Sequence, residues 1–307
     1  MTLRLAGYIE LPGHQRTGGF DHAAIHHERR RLYIAHTAND ALDVVDLDAG
    51  AYLESIEGLS GVAGALVGES DDVVFSSNRA EDTISIFEAT HPERLTKVPV
   101  GRRPNGLAFD PDRRTLLVAN VGDDADPASQ TVTVITAGPW RQTAFIPVPG
   151  RTRWAVYDAR SDAFFVNIAD PPAIVMIGGA DPTRVVRTID IPARGPHGLD
   201  IDADGRLYCA CDDGRLLILE PPSYAIVGDV QLAGAPDVIF LDEGHDCLYV
   251  AIGDPGLVQV VDIDARSVDE TVPTEAGAHT LAVDRSRHRV IVFLPISHRA
   301  AVFEGVA

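Results

Sequence analysis

The stretch NGLAFDPDRRTLLVAN, residues 105–120, contains two short apolar segments joined by a polar turn. Leu107 and Phe109 lie two residues apart, which is the spacing of side chains on one face of a strand. LLVAN is the near-continuous apolar run of a strand that is buried on both faces. The turn between the segments, DPDRR, is rich in residues that favour turns. This stretch therefore predicts a β-hairpin.

The same hairpin pattern recurs along the whole chain. It matches without a gap at DHAAIHHERRRLYIAH (21–36), AGALVGESDDVVFSSN (63–78), RWAVYDARSDAFFVNI (153–168), DVIFLDEGHDCLYVAI (237–252) and HTLAVDRSRHRVIVFL (279–294), and with one residue fewer at HGLDIDADGRLYCAC (197–211). The units begin near residues 21, 63, 105, 153, 197, 237 and 279, which are 40 to 48 residues apart. A period of this length indicates a repeat architecture.

Each unit continues beyond the hairpin with a third strand, such as TVTVITA, and a more polar fourth strand ending in Gly, such as RLTKVPVG. Four short strands per unit, without a helical stretch, predict the blades of a β-propeller. The seventh unit has three strands, and LRLAGYIELPG at residues 3–13 resembles the missing fourth. We therefore expect one all-β domain over residues 1–307, a seven-bladed β-propeller whose N-terminal strand completes the last blade and closes the ring.

The repeat resembles those of YVTN-type and gluconolactonase-like (regucalcin-like) propellers. LYIAH, LLVAN and LYVAI are similar to the Tyr-Val-Thr-Asn strand of the first group, and RPNGLAFDPDRRTLLVAN is similar to a signature stretch of the second. The gluconolactonase-like resemblance implies a divalent metal and lactone hydrolysis. It also implies that Asn105 and Asp237 stand at that family's Asn and Asp ligands, and Asp21 where it has Glu. His197 and His279 depart from its ligand types, and that family has six blades.

The first position of each unit is mostly polar. Because the innermost strand of a blade lines the central channel, these residues should meet at one mouth of the channel. They are Asp21, Ala63, Asn105, Arg153, His197, Asp237 and His279. Two positions further on all seven residues are apolar, and this contrast indicates the register of the strands.

Units 5, 6, 7 and 1 are neighbours in the closed ring, and they contribute His197, Asp237, His279 and Asp21. Two imidazoles and two carboxylates suit a divalent cation, which would be Ca²⁺, Mg²⁺, Mn²⁺ or Zn²⁺. The alternative is a solvated ring whose side chains bond to water and to each other. Asp237 and His279 are the candidate catalytic groups, because a carboxylate and an imidazole can both move a proton.

Asn105, Arg153 and Trp154 are the candidate substrate-binding residues. A cation beside an aromatic ring, on the arc away from the four predicted ligands, would hold a carboxylate or another anionic group. The alternative is an ion pair between Arg153 and a ring aspartate, with Trp154 packed between blades.

The function predicted from these residues is metal-dependent hydrolysis of a lactone or related ester at one mouth of the channel. A lyase or an isomerase would use the same groups. A non-catalytic scaffold for a protein or peptide partner is the alternative from another class, because propellers serve both roles. The expected partner of the enzyme is a small-molecule substrate.

The charge balance excludes some other partners. Asp and Glu number 45 against 26 Lys and Arg, for a formal net charge of −19, which disfavours nucleic acid. No apolar run approaches the roughly 18–20 residues that would span a membrane, and the N-terminal residues lack the pattern of a secretory signal. Three cysteines cannot form a disulfide framework, so a cytoplasmic location is expected.

Overall fold

The computed structural model describes residues 2–306, and these form seven four-stranded antiparallel sheets. Each innermost strand contacts the innermost strand of the next sheet, and the last contacts the first, so the sheets close into a ring. The predicted all-β, seven-bladed propeller is therefore confirmed. Within residues 2–306 the helical elements are five 3-10 turns, at Thr37–Asn39, Glu69–Asp71, Pro92–Arg94, Pro127–Ser129 and Glu243–His245.

The strands are numbered in chain order, and the strands of each blade are given from the innermost to the outermost. Strand β1 is the outermost strand of blade 7. Strand β1 is Thr2–Glu10; blade 1 is β2 (Phe20–His26), β3 (Arg31–His36), β4 (Ala41–Asp46) and β5 (Ala51–Glu57); blade 2 is β6 (Val62–Gly68), β7 (Val73–Asn78), β8 (Thr83–Glu88) and β9 (Thr96–Pro99); blade 3 is β10 (Pro104–Asp110), β11 (Thr115–Asn120), β12 (Thr131–Thr136) and β13 (Arg141–Pro147). Blade 4 is β14 (Thr152–Asp158), β15 (Ala163–Ile168), β16 (Ala173–Gly178) and β17 (Val185–Asp190); blade 5 is β18 (Pro196–Ile201), β19 (Leu207–Cys211), β20 (Arg215–Glu220) and β21 (Ala225–Gln231); blade 6 is β22 (Ile239–Asp242), β23 (Cys247–Ile252), β24 (Leu257–Asp262) and β25 (Ser267–Pro273); blade 7 is β26 (Leu281–Asp284), β27 (Arg289–Leu294), β28 (Arg299–Val306) and β1.

Blade 7 is closed by the N-terminal strand, as the sequence predicts. Strand β1 runs antiparallel to β28, with Leu3 opposite Gly305 and Ile9 opposite Ala300. Leu3 and Ile9 are buried. The ring therefore depends on a sheet formed by both ends of the chain.

The second strands of the blades form the centre of the core. Every residue of β7, β11, β15, β19 and β23 is buried. The two faces of these strands pack on different neighbouring blades; Phe75 of β7, for example, packs with Leu116 and Val118 of β11. This two-sided packing explains why the second strands have near-continuous apolar sequences.

Glycines follow two of the polar ring residues and let neighbouring inner strands approach closely. A Cβ on Gly106 would lie 2.4 Å from the carbonyl oxygen of Arg153, and one on Gly198 would lie 2.6 Å from that of Asp237. These atoms belong to the backbone of the next blade, so the clash could be relieved only by moving a strand. The glycines thus help to position the ring residues of the following blades.

We expect Gly198→Ala to lower the free energy of unfolding by about 1–3 kcal/mol, because overpacking against backbone forces a strand to shift. Gly178→Ala is the matched control, since a Cβ there meets nothing within 4 Å, and its change should stay within about 0.5 kcal/mol. Denaturant unfolding of both variants measures the difference. If the two variants were equally stable, the inner strands of blades 5 and 6 would not be tightly packed at Gly198.

No helix among the described residues, 2–306, has the length and apolar character needed to cross a membrane.

Candidate active site at one channel mouth

The channel mouth is built from two sets of residues. The starts of the inner strands supply the ring residues, and the loops that follow the second strands supply Arg79, after β7, and Asp212, after β19. Because both sets lie at the same end of the blades, their side chains meet around the axis of the ring.

His197 is held between two carboxylates. Its Nδ1 lies 2.8 Å from Oδ1 of Asp212, and its Nε2 lies 2.9 Å from Oδ1 of Asp237. Burial disfavours the charged imidazole, but the charge of Asp237 and the hydrogen bonds to Asp212 and Asp237 outweigh burial and raise the pKa of His197 to about 9. His197 is therefore protonated at neutral pH, and both its N–H groups donate to carboxylates.

Asp237 also faces His279. Burial alone would raise the pKa of Asp237, yet the positive charge of His197 and its hydrogen bond, with smaller contributions from His279 and His22, hold that pKa below its usual range. Nε2 of His279 lies 3.9 Å from Oδ2 of Asp237, and its Nδ1 is 2.8 Å from the carbonyl oxygen of Gly277. With Nδ1 of His279 donating to the carbonyl oxygen of Gly277, Nε2 is the ring nitrogen directed to the mouth.

Asp21 and Asn105 lie on the other side of the mouth, joined by Arg79. Nη2 of Arg79 donates to Oδ1 of Asn105 at 2.7 Å and is 3.5 Å from Oδ2 of Asp21. Oδ1 of Asp21 accepts the backbone N–H of His22 at 3.0 Å. Arg79 thus neutralises the carboxylate of Asp21.

Arginines crowd one arc of the mouth. Arg153 lies 3.6 Å from Oδ2 of Asp212 and 3.4 Å from Nε2 of His197, so it contacts one of the predicted ligands, His197, instead of facing away from all four. Burial, with the charges of Arg153, Arg103 and Arg79, lowers the pKa of Arg151. The buried Nε atoms of Arg79, Arg151 and Arg153 have no hydrogen-bond partner within residues 2–306. This arc is suited to an anion.

Trp154 lies in an aromatic layer beneath the mouth. Its ring centroid is 4.2 Å from that of His22 and 5.9 Å from that of Phe240. On the far side of this layer a cavity of about 940 Å³ opens, lined by these three residues and by none of the ring residues. Trp154 therefore packs across the channel, whereas Arg153 and Asn105 lie at the mouth.

Of the four predicted metal ligands Asp21, His197, Asp237 and His279, two already contact side chains outside this set. Both nitrogens of His197 already bond to carboxylates, and Arg79 is bound to Asp21. Within residues 2–306, a different group has ligand atoms that all lie within 4.8 Å of one another. It consists of Asp242, His245 and His288. The metal at the mouth stays a prediction.

Two functional candidates, Arg79 and Asp212, are absent from the sequence-based set. Each directly follows the last residue of a second strand, Asn78 and Cys211 respectively. The position after that strand is therefore the signal that would have found them.

Comparison with known proteins supports the fold. A family model described as strictosidine synthase-like, N-terminal, matches residues 185–219, which run from β17 into β20. No curated protein matches the sequence. Hydrazine synthase from Kuenenia stuttgartiensis is similar in structure, with a TM-score of 0.84 and 14% identity, over 96% of this chain and 97% of that one. At this identity the likeness is one of fold, and the chain is a seven-bladed β-propeller with a short strictosidine synthase-like segment.

Proposed function

We propose that the channel mouth is the active site of a hydrolase that acts on a small anionic ester or lactone. The observation that carries this proposal is the chain Asp212–His197–Asp237–His279, which faces an arc of arginines with unpartnered N–H groups. An acid–base pair beside an anion-binding arc is what hydrolysis of a charged acyl compound requires. The matched family and the similar structure both carry the names of enzymes, which supports catalysis over a scaffold role.

His279 is the general base in this proposal. Its Nε2 takes a proton from water, and the water oxygen attacks the carbonyl carbon of the substrate. The ester C–O bond then breaks, and the leaving oxygen takes the proton back from His279. Asp237, kept ionised by protonated His197, stabilises the imidazolium that forms on His279.

The arginines bind and polarise the substrate. Arg79 and Arg153 would hold its carboxylate, and a free guanidinium N–H would stabilise the negative charge that develops on the carbonyl oxygen. Asn105, fixed by Arg79, adds an amide group to the same wall of the mouth.

The test uses activated esters and lactones, each with and without a carboxylate. We expect the wild type to prefer the carboxylates, and His279→Ala and Asp237→Asn to lower kcat by about 10²–10⁴-fold. Arg153→Ala should raise KM for the carboxylates and leave neutral substrates little affected. His91→Ala is the control, because His91 lies on an outer loop beside Glu93.

Each assay is repeated after chelation and with added Ca²⁺, Mg²⁺, Mn²⁺ or Zn²⁺. Activity that survives chelation supports hydrolysis by the side chains alone, and activity that one ion restores supports the predicted metal. A wild type that hydrolyses none of these compounds under any of these conditions would overturn the proposal.

A further inference from the structure

A second cluster of ligand-type side chains lies at the opposite ends of the inner strands of blades 6 and 7. It consists of Asp242, at the end of β22, His245, in the 3-10 turn that follows, and His288, in the turn between β26 and β27. We propose that these three residues bind a divalent first-row transition-metal ion, zinc foremost. The site is separate from the channel mouth, so its test does not depend on the proposed function.

The repeat itself shows that blade 6 is different at this position. Five units carry Asp in this turn, and in three of the others an arginine pairs with it: Arg113 with Asp110, Arg206 with Asp202 and Arg30 with Asp284. In blade 4, Asp158 instead accepts backbone N–H groups and the hydroxyl of Ser161. Asp242 is buried and has two imidazoles as side-chain hydrogen-bond partners.

Two of the three distances between the ligand atoms are close to those of a tetrahedral site, and all three are within 4.8 Å. Nδ1 of His245 and Nδ1 of His288 each lie 3.1 Å from the same oxygen, Oδ2 of Asp242. Bonds of about 2.0–2.1 Å to zinc place tetrahedral ligands about 3.3 Å apart, so only small shifts are needed to admit the ion. Two imidazole nitrogens and one carboxylate oxygen suit zinc and its first-row neighbours better than Ca²⁺ or Mg²⁺. The rings would then carry their protons on Nε2.

The site is accessible and has room for a fourth ligand. His245 and His288 are 31% and 39% exposed, whereas the carboxylate of Asp242 is almost fully buried. A cavity of about 300 Å³ adjoins the cluster and is lined by Asp242, Gly244 and His288, among others. A water molecule from this cavity would complete a site with three protein ligands.

Gly244 leaves space for one of the ligands. A Cβ at this position would lie 2.8 Å from Cε1 of His288. An alanine there would therefore displace the His288 ring, and its Cβ would also lie 3.3 Å from Oδ1 of Asp242. This variant alters the geometry of the site and keeps all three ligands.

The experiment titrates untagged, chelator-treated full-length protein with Zn²⁺ by calorimetry and records the absorption spectrum of the Co²⁺ form. We expect one equivalent of zinc and the intense visible bands of tetrahedral cobalt. Loss of an outer-shell partner weakens metal binding by about 10–100-fold. The double variant His245→Ala/His288→Ala loses two direct ligands, so its affinity for zinc should fall by more than that. Gly244→Ala should weaken binding by a smaller factor. Zinc should raise the Tm of the wild type but not that of the double variant.

Two controls separate this site from others. His91→Ala removes an exposed histidine beside one carboxylate, and His279→Ala alters the channel mouth. Both variants should still bind one equivalent of zinc. Asp242→Asn, read by calorimetry on folded protein, should weaken zinc binding like the histidine variants. The proposal would be overturned if the wild type bound no zinc or if the double variant bound it with equal affinity. It would also be overturned if His279→Ala lost zinc binding while the double variant kept it.

Discussion

Removal of residues 2–12 is expected to unfold the ring under conditions in which the intact chain is folded. Strand β1 supplies the fourth strand of blade 7, pairing with β28 from Thr2 to Glu10, and buries Leu3 and Ile9. Without it β28 becomes a bare edge, and the apolar contacts that close blade 7 are lost. Circular dichroism during heating should show the truncated chain largely unfolded at room temperature, or melting tens of degrees lower.

Two point variants in the same strand sharpen this test. Ile9→Ala removes a buried side chain and should lower the free energy of unfolding by about 2–5 kcal/mol. Leu5→Ala is the matched control, because Leu5 is 42% exposed, and should change stability by about 0.5 kcal/mol or less. A synthetic peptide of residues 1–13 should restore part of the stability of the truncated chain. A truncated chain that melts within a few degrees of the intact one would contradict the closure by β1.

Stability is expected to fall as the pH rises from about 6.5 to about 9, and His197 should be the main cause. Burial of the imidazole would lower the pKa of His197, but its two carboxylate partners outweigh burial and raise that pKa to about 9 in the folded protein. An unfolded histidine titrates near 6.5, so the folded state binds the proton more tightly. The stabilisation is fully present below pH 6.5, amounts to about 3 kcal/mol, and is lost as the pH passes 9.

The measurement is denaturant unfolding at pH 6, 7.5 and 9.5, with His197→Gln beside the wild type. Other groups titrate in this range, so the quantity of interest is the difference between the two proteins. That difference should be large at pH 6 and small at pH 9.5. His91→Gln is the control and should follow the wild type at all three pH values. A constant difference between wild type and His197→Gln would refute the raised pKa.

The fold could be predicted because it depends on a pattern repeated seven times. The apolar runs of the second strands, such as LLVAN, are required by burial on both faces, and the missing strand of blade 7 identified the role of β1. The positions of the ring residues follow from the same register. Their ionic partners depend on blade order, and because blades 4 and 5 are neighbours, the contact of Arg153 with His197 could have been inferred.

The rest of the site depends on features that a repeat pattern does not contain. Arg79 and Asp212 share the position directly after a second strand, but the residue type at that position differs from unit to unit. Trp154 follows Arg153 directly, and successive residues of a strand point in opposite directions, so the two side chains separate. The cluster around Asp242 combines turns of two blades, and the sequence does not show that His245 and His288 approach the same oxygen.

The aromatic layer of His22, Trp154 and Phe240 lies between the polar mouth and the cavity of about 940 Å³ on its other side. In the proposed enzyme, product and substrate bind the same residues at the mouth, so product inhibition should be competitive. The cavity on the other side is lined by none of the ring residues, so a compound bound there would leave His279 and Asp237 free to bind substrate.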